Sequence, residues 1–102
     1  MSPVEQLRQA LSALPEVQQL PSRFGNHRNV AWFVRGHEFA HLHSDVLLDL
    51  RLPLSVQAGL RSDPKARFRH SPSAWLEFEF HTAEDVQQLA MLARDAWAAA
   101  CQ

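Results

Sequence analysis

The stretch HEFAHLH, residues 37–43, concentrates residue types that bind metal ions. Its first five residues spell HExxH, the pattern in which a zinc protease places two histidines on one face of a helix while the glutamate activates water. On a strand, strict alternation would instead point Glu38 away from His37 and His41. The secondary structure of this stretch therefore decides what chemistry it can perform.

The flanking sequence favours a strand. Gly36 precedes the motif, and apolar residues alternate towards Leu52, which leaves too few residues for a long active-site helix. The known protease patterns take a third ligand from downstream, and no HxxGxxH pattern follows here. We therefore interpret the HExxH as accidental.

A strand creates a different possibility, because it places the three histidines of the stretch on one face. His41 and His43 are next-but-one neighbours roughly 7 Å apart, a spacing that allows an HxH pair to bind one divalent transition metal. His70 or His81 would supply a third ligand. The alternative interpretation is that these imidazoles are hydrogen-bonded or partly exposed residues of a sheet.

The register of the hairpin that follows separates two roles for the histidines. An even number of loop residues places Glu38 opposite Arg51 as a structural ion pair. An odd number places His41 opposite Asp49, and a carboxylate-oriented histidine is typical of a metal ligand or a general base. A slip of one residue exchanges the two faces, so both arrangements remain open.

Two amphipathic helices are predicted at the ends of the chain. Ser2 and Glu5 form a capping box before a helix that ends at Pro15, and Thr82 caps a second helix with acidic residues in its first turn. Their apolar stripes comprise Val4, Leu7, Leu11 and Leu14 in the first, and Val86, Leu89, Ala93, Trp97 and Ala100 in the second.

The middle of the chain alternates with period two, which is typical of strands. Residues 16–29 read as a connection, and residues 54–60 as a short inserted helix. This order predicts one α+β domain over residues 1–102: two layers, a mostly antiparallel four-stranded sheet, and N- and C-terminal helices packed on one of its faces.

Composition excludes several classes of function. The net charge is −1, from 10 basic and 11 acidic residues, so no broad field attracts nucleic acid or a membrane. The basic run at residues 65–70 is interpreted as a solvated strand face. A single Cys101 cannot form an internal disulfide, and no membrane-spanning run or signal peptide is evident, so a cytoplasmic protein is expected.

The residues from Glu38 to His43, followed by Asp49-Leu50-Arg51-Leu52, His70 and Trp75-Leu76-Glu77-Phe78, resemble the luciferase-domain family of small bacterial and fungal proteins. The resemblance extends from about Trp32 to Trp97, and the spacing from HxH to DxRL is its most specific part. It implies six candidate site positions: His41, His43, Asp49, Arg51, His70 and Trp75. It implies nothing about light emission, because flavin-dependent luciferases are barrels far longer than this chain.

Three functions follow as hypotheses. The first is a small-ligand-binding or metal-binding patch on those positions, with His41 and His43 as candidate metal ligands. The second is a protein-interaction or self-associating module, including a homodimer, which an exposed apolar patch of Trp32, Phe33 or Trp75 would favour. The third is a hydrolase or oxidoreductase, for which no nucleophile or cofactor motif is present.

Overall fold

A computed structural model describes residues 1–23, 29–69 and 73–102 of the chain. Its elements are α1 (Pro3–Ser12), β1 (Val17–Pro21), β2 (Val30–Val34), β3 (His37–Ser44), β4 (Leu47–Arg51), α2 (Leu54–Ala58), β5 (Ala66–Arg67), β6 (Trp75–Glu79) and α3 (Ala83–Ala100). No helix among these residues is both long and apolar enough to cross a membrane.

The strands form one sheet in the order β1-β2-β3-β4-β6-β5, and every pair of neighbours is antiparallel. The predicted α+β class and antiparallel sheet are confirmed, but the predicted number of four strands is wrong, since the described residues form a sheet of six. The discrepancy arises at the sheet edges. Strand β1 is largely exposed and ends at Pro21, so it lacks the alternation that marks a strand, and β5 contains only two residues.

Both terminal helices pack against one face of the sheet. Helix α1 contributes Leu7 and Leu11 to the core, and α3 contributes Val86, Leu89, Ala93 and Ala96. The helix-facing side chains of the central strands are apolar and buried: Trp32, Val34, Ala40, Leu42, Leu48, Leu50, Leu76 and Phe78. The opposite side of the sheet, which we call the open face, receives the alternate residues of the same strands.

Strand β3 contains a β-bulge at Phe39. Trp32 pairs with Ala40 and Phe33 pairs with Glu38, so Phe39 is the extra residue between the two pairs. The bulge directs the Phe39 side chain into the core and turns Glu38 to the open face, beside His41. The strict alternation predicted for residues 37–43 is therefore wrong, because the inserted residue reverses the parity of the strand.

A second bulge lies at His43, where β3 approaches its hairpin. Leu42 pairs with Leu48 and Ser44 pairs with Leu47, which leaves His43 as the extra residue. The loop itself contains two residues, an even number, yet the bulge places His41 opposite Asp49. Of the two registers that the sequence left open, the structure has the carboxylate-facing one, and it reaches it through the bulge rather than through an odd loop.

The turn between β2 and β3 requires left-handed backbone at both of its residues. Arg35 has φ of 52° and Gly36 has φ of 81°. Val34 and His37 pair across them, so the loop has two residues, and positive φ at both is the signature of a type I′ turn. This turn sets the start of β3.

Gly36→Ala is expected to lower the free energy of unfolding by about 1 kcal/mol, because an alanine at this φ is strained although a Cβ there would contact nothing within 4 Å. Gly59→Ala is the matched control: its φ is −73° and its Cβ would meet only the Val56 carbonyl oxygen at 3.6 Å. That variant should be neutral or stabilising by up to about 1 kcal/mol. Urea unfolding measures both, and equal effects of the two substitutions would contradict the conformational explanation.

Candidate functional site

The open face carries a cluster of ionisable side chains over the three central strands β3, β4 and β6. The members of this open-face cluster are Glu38, His41, His43, Asp49 and Glu77. Each belongs to a strand whose other face is in the apolar core, so the strands that build the core also position the cluster.

His41 lies between two buried carboxylates. Its Nε2 is 2.8 Å from Asp49 Oδ2, and its Nδ1 is 3.0 Å from Glu38 Oε2. The side chains are 9%, 2% and 3% exposed for His41, Asp49 and Glu38 respectively. Each ring nitrogen of His41 therefore faces a carboxylate oxygen of a different buried residue.

Glu38 is anchored by the segment that follows β1. The Ser22 hydroxyl donates to its Oε2 at 3.0 Å, and the backbone N–H of Arg23 donates to its Oε1 at 2.9 Å. Neither Ser22 nor Arg23 was identified from the sequence, because both lie in a stretch that reads as a connection. Their hydrogen bonds to Glu38 require that β1 pair with β2 at the edge of the sheet, and no local sequence pattern indicates that pairing.

Trp75 forms an aromatic wall beside the buried histidine. Its ring centroid is 4.8 Å from that of His41, and the planes are inclined at 48°. Trp75 is one of the six positions that the resemblance implies, and it packs directly against the central imidazole of the cluster.

His43, Asp49 and Glu77 bring three ligand-type atoms together at the outer side of His41. His43 Nδ1 is 3.8 Å from Asp49 Oδ2 and 3.7 Å from Glu77 Oε2, and all three atoms lie within 4.8 Å of one another. His43 is 60% exposed, whereas Asp49 is buried. Among the described residues, Asp49 Oδ1 has no hydrogen-bond partner. Glu77 is not among the six candidate positions that the resemblance implies.

Of the remaining candidate positions, Arg51 is not one of the three residues that meet at Asp49. Arg51 pairs in register with Trp75 and lines a cavity of about 320 Å³ together with Arg23, Glu38 and Trp75. Glu38 faces His41 and accepts hydrogen bonds from Ser22 and Arg23. It does not form the ion pair with Arg51 that the even register predicted. His70 lies outside the described residues.

The charged residues at the far end of β6 form a separate network. Arg67 contacts Glu79 and lies 3.7 Å from Glu77 Oε1. His81 Nε2 lies 2.7 Å from Glu79 Oε2, and this hydrogen bond, together with Arg67, holds the pKa of the Glu79 carboxyl below its ordinary value. His81 is thus paired with Glu79 and is not part of the group around Asp49.

The apolar surface that would have favoured self-association is not exposed at two of its three expected positions. Trp32 is fully buried in the core, and its indole N–H donates to the Ser12 hydroxyl at 3.0 Å. Phe33 is 3% exposed beneath the Arg23 guanidinium. These two side chains are therefore part of the fold's own packing.

A protein-family model described as the luciferase domain matches residues 36–96, more than half of the chain. The matched segment begins at the β2–β3 turn and continues into α3, so it contains the three residues grouped around Asp49 Oδ2 and all six positions implied by the resemblance. The match confirms that resemblance. No curated protein matches the chain.

His41→Ala is expected to lower the free energy of unfolding by about 3–5 kcal/mol, because it removes the imidazole that lies between two buried carboxylates. His43→Ala removes the same side chain from an exposed position of the same strand and should change stability by no more than about 0.5 kcal/mol. Urea unfolding monitored by tryptophan fluorescence measures both. Similar losses in the two variants would show that His41 is not the buried link described above.

Proposed function

The chain belongs to the luciferase-domain family, and from this premise we propose that it is a metal-binding domain whose open face holds one divalent cation between His43, Asp49 and Glu77. The observation that carries the proposal is the convergence of their three ligand-type atoms within 4.8 Å, around a carboxylate that is almost completely buried. An imidazole nitrogen with two carboxylate oxygens suits zinc, manganese or ferrous iron.

The balance of charge at this place supports a cation. Glu38 and Asp49 are both buried, and the imidazole of His41 supplies at most one positive charge between them. Glu77 adds a third carboxylate, whose Oε1 faces Arg67 while its Oε2 faces the proposed site. A buried carboxylate is costly unless it is paired or bound to a metal, and Asp49 Oδ1 has no hydrogen bond among the described residues.

The two distances from His43 are close to those within a metal site, and the ligand-type atoms of Asp49 and Glu77 lie within 4.8 Å of each other. Two atoms that bind the same metal at about 2.1 Å in tetrahedral geometry lie about 3.4 Å from each other. The separations of 3.7 and 3.8 Å from His43 Nδ1 are slightly longer, and its exposed side chain has space to rotate inward. Asp49 needs no movement, because His41 already holds its Oδ2.

His41 is assigned a positioning role in this arrangement. Its Nε2 lies 2.8 Å from Asp49 Oδ2, and its Nδ1 faces Glu38, which Ser22 and Arg23 hold in turn. A hydrogen-bonded chain behind a metal ligand fixes the ligand's orientation and raises metal affinity. Of the two candidate ligands, His43 would therefore bind the metal, and His41 would hold Asp49 in position.

Three protein ligands leave coordination positions open on the solvent side of His43. An open position is characteristic of sites that bind water or a substrate, whereas structural zinc sites have four protein ligands. This feature supports the hydrolase or oxidoreductase hypothesis as a second candidate, in which a metal-bound water would be the reacting group.

Metal analysis of protein purified without a histidine tag tests the proposal. Wild-type protein, stripped with EDTA and titrated with Zn²⁺ or Mn²⁺, is expected to bind one ion per chain, and His43→Ala and Glu77→Gln should each weaken binding at least tenfold. The matched controls are His81→Ala and Glu79→Gln, the same residue types at the far end of β6.

The controls should bind the ion with wild-type affinity, because their side chains pair with each other and not with Asp49. Unchanged binding in His43→Ala and Glu77→Gln, or an equal loss in the two controls, would contradict a site at this position. A wild-type protein that binds neither ion would remove the metal-binding function altogether.

A further inference from the structure

A cleft opens where strand β3 begins and strand β4 ends. It consists of two cavities, of about 360 and 320 Å³, which share His37, Arg51 and Ala74 as lining residues. Sites for small organic molecules commonly have volumes of about 300–1,000 Å³. Either cavity alone reaches this range, and the shared residues make them neighbours in one cleft.

The two cavities differ in chemistry. The first, which we call the alanine cavity, is closed on one side by α3 and, besides the shared residues, is lined by Leu52, Pro53, Ala96, Ala99, Ala100 and Gln102. The second, the arginine cavity, is lined by Arg23, Glu38 and Trp75. Because Arg51 lines both, a cationic group lies at the junction between a largely apolar chamber and a polar one.

The two arginines that line the cleft, Arg23 and Arg51, form no ion pair within the described part of the chain. Arg35 and Arg67 form ion pairs with carboxylates, but among the residues that the structure describes neither Arg23 nor Arg51 has a carboxylate within ion-pair distance. Glu38 does not fill this role, because its oxygens already face Ser22, the Arg23 backbone N–H and His41. A bound anion would supply the negative charge that pairs with these two arginines.

The geometry points to a small organic anion with an apolar tail as the ligand of this cleft. Its carboxylate or phosphate group would lie at Arg51, within the region that Arg23 and His37 also line, and its hydrocarbon part would lie against the alanine wall of α3. Guanidinium groups bind both head groups through paired hydrogen bonds. The inference does not rest on the proposed metal site, since none of His43, Asp49 and Glu77 lines either cavity.

Calorimetric titration with octanoate tests the head-group contact. Wild-type protein is expected to bind octanoate at least tenfold more tightly than octanol. Arg51→Gln should weaken octanoate binding at least tenfold, to the affinity for octanol. Arg8→Gln, which removes the same charge from the exposed surface of α1 outside the cavity linings, should leave the affinity unchanged. A titration with octyl phosphate in parallel shows which head group is preferred.

The contact between the hydrocarbon tail and the alanines of α3 is tested separately, by a substitution that fills the alanine cavity. Ala99→Leu places a larger side chain in the alanine cavity and is expected to weaken octanoate binding at least tenfold. Ala98→Leu is the matched control on the adjacent, exposed position of the same helix and should have no effect. Circular dichroism and thermal unfolding of both variants establish that α3 remains folded.

Three results would overturn the inference: no octanoate binding at millimolar concentration, equal affinities for octanoate and octanol, or wild-type affinity in Arg51→Gln. The titration is repeated with EDTA present and with His43→Ala, and the octanoate affinity should persist in both. Loss of binding under those conditions would place the anion at the metal and also overturn the inference. Failure of metal binding alone leaves the octanoate result unaffected, so the two proposals can be separated.

Discussion

The contact on which the rest of the structure depends is the imidazole of His41 held between Glu38 and Asp49. Three ionisable groups are withdrawn from water together, and such burial is tolerated only when each charge has partners at hydrogen-bonding distance. The separations of 2.8 and 3.0 Å place both carboxylates within ion-pair distance of the His41 imidazole. They also impose a demand on the backbone, because residues 38 and 41 must point to the same face of one strand.

The two bulges of β3 satisfy that demand. The extra residue at Phe39 reverses the parity of the strand, so that Glu38 joins His41 on the open face while the phenylalanine ring enters the core. The extra residue at His43 shifts the hairpin, so that Asp49 faces His41. Each of the two bulges therefore brings one carboxylate to the imidazole. The edge strand β1 completes the arrangement, since the segment that follows it supplies the donors for Glu38.

The two proposed binding regions lie next to the two carboxylates that face His41. Asp49 faces outward to His43 and Glu77, where carboxylate charge exceeds the available cations. Glu38 and Trp75 border the cleft in which Arg23 and Arg51 supply positive charge. Rigid elements hold both regions: the central strands on one side, and the end of α3 packed against the strand termini on the other.

The sequence by itself determined the helices at the two ends, the strand in the HEFAHLH stretch, and the antiparallel α+β architecture. These features follow from local causes: side-chain oxygens that cap helices, apolar residues at intervals of 3.6 or 2, and glycine at a turn with positive φ. It also identified His41, His43 and Asp49 as positions of interest. Only the tertiary structure decided which atoms meet, because a bulge inserts one residue without altering the residue types around it. The roles of Glu38, Glu77 and Ser22 depend on register and on pairing between strands distant in sequence, and no local pattern encodes these.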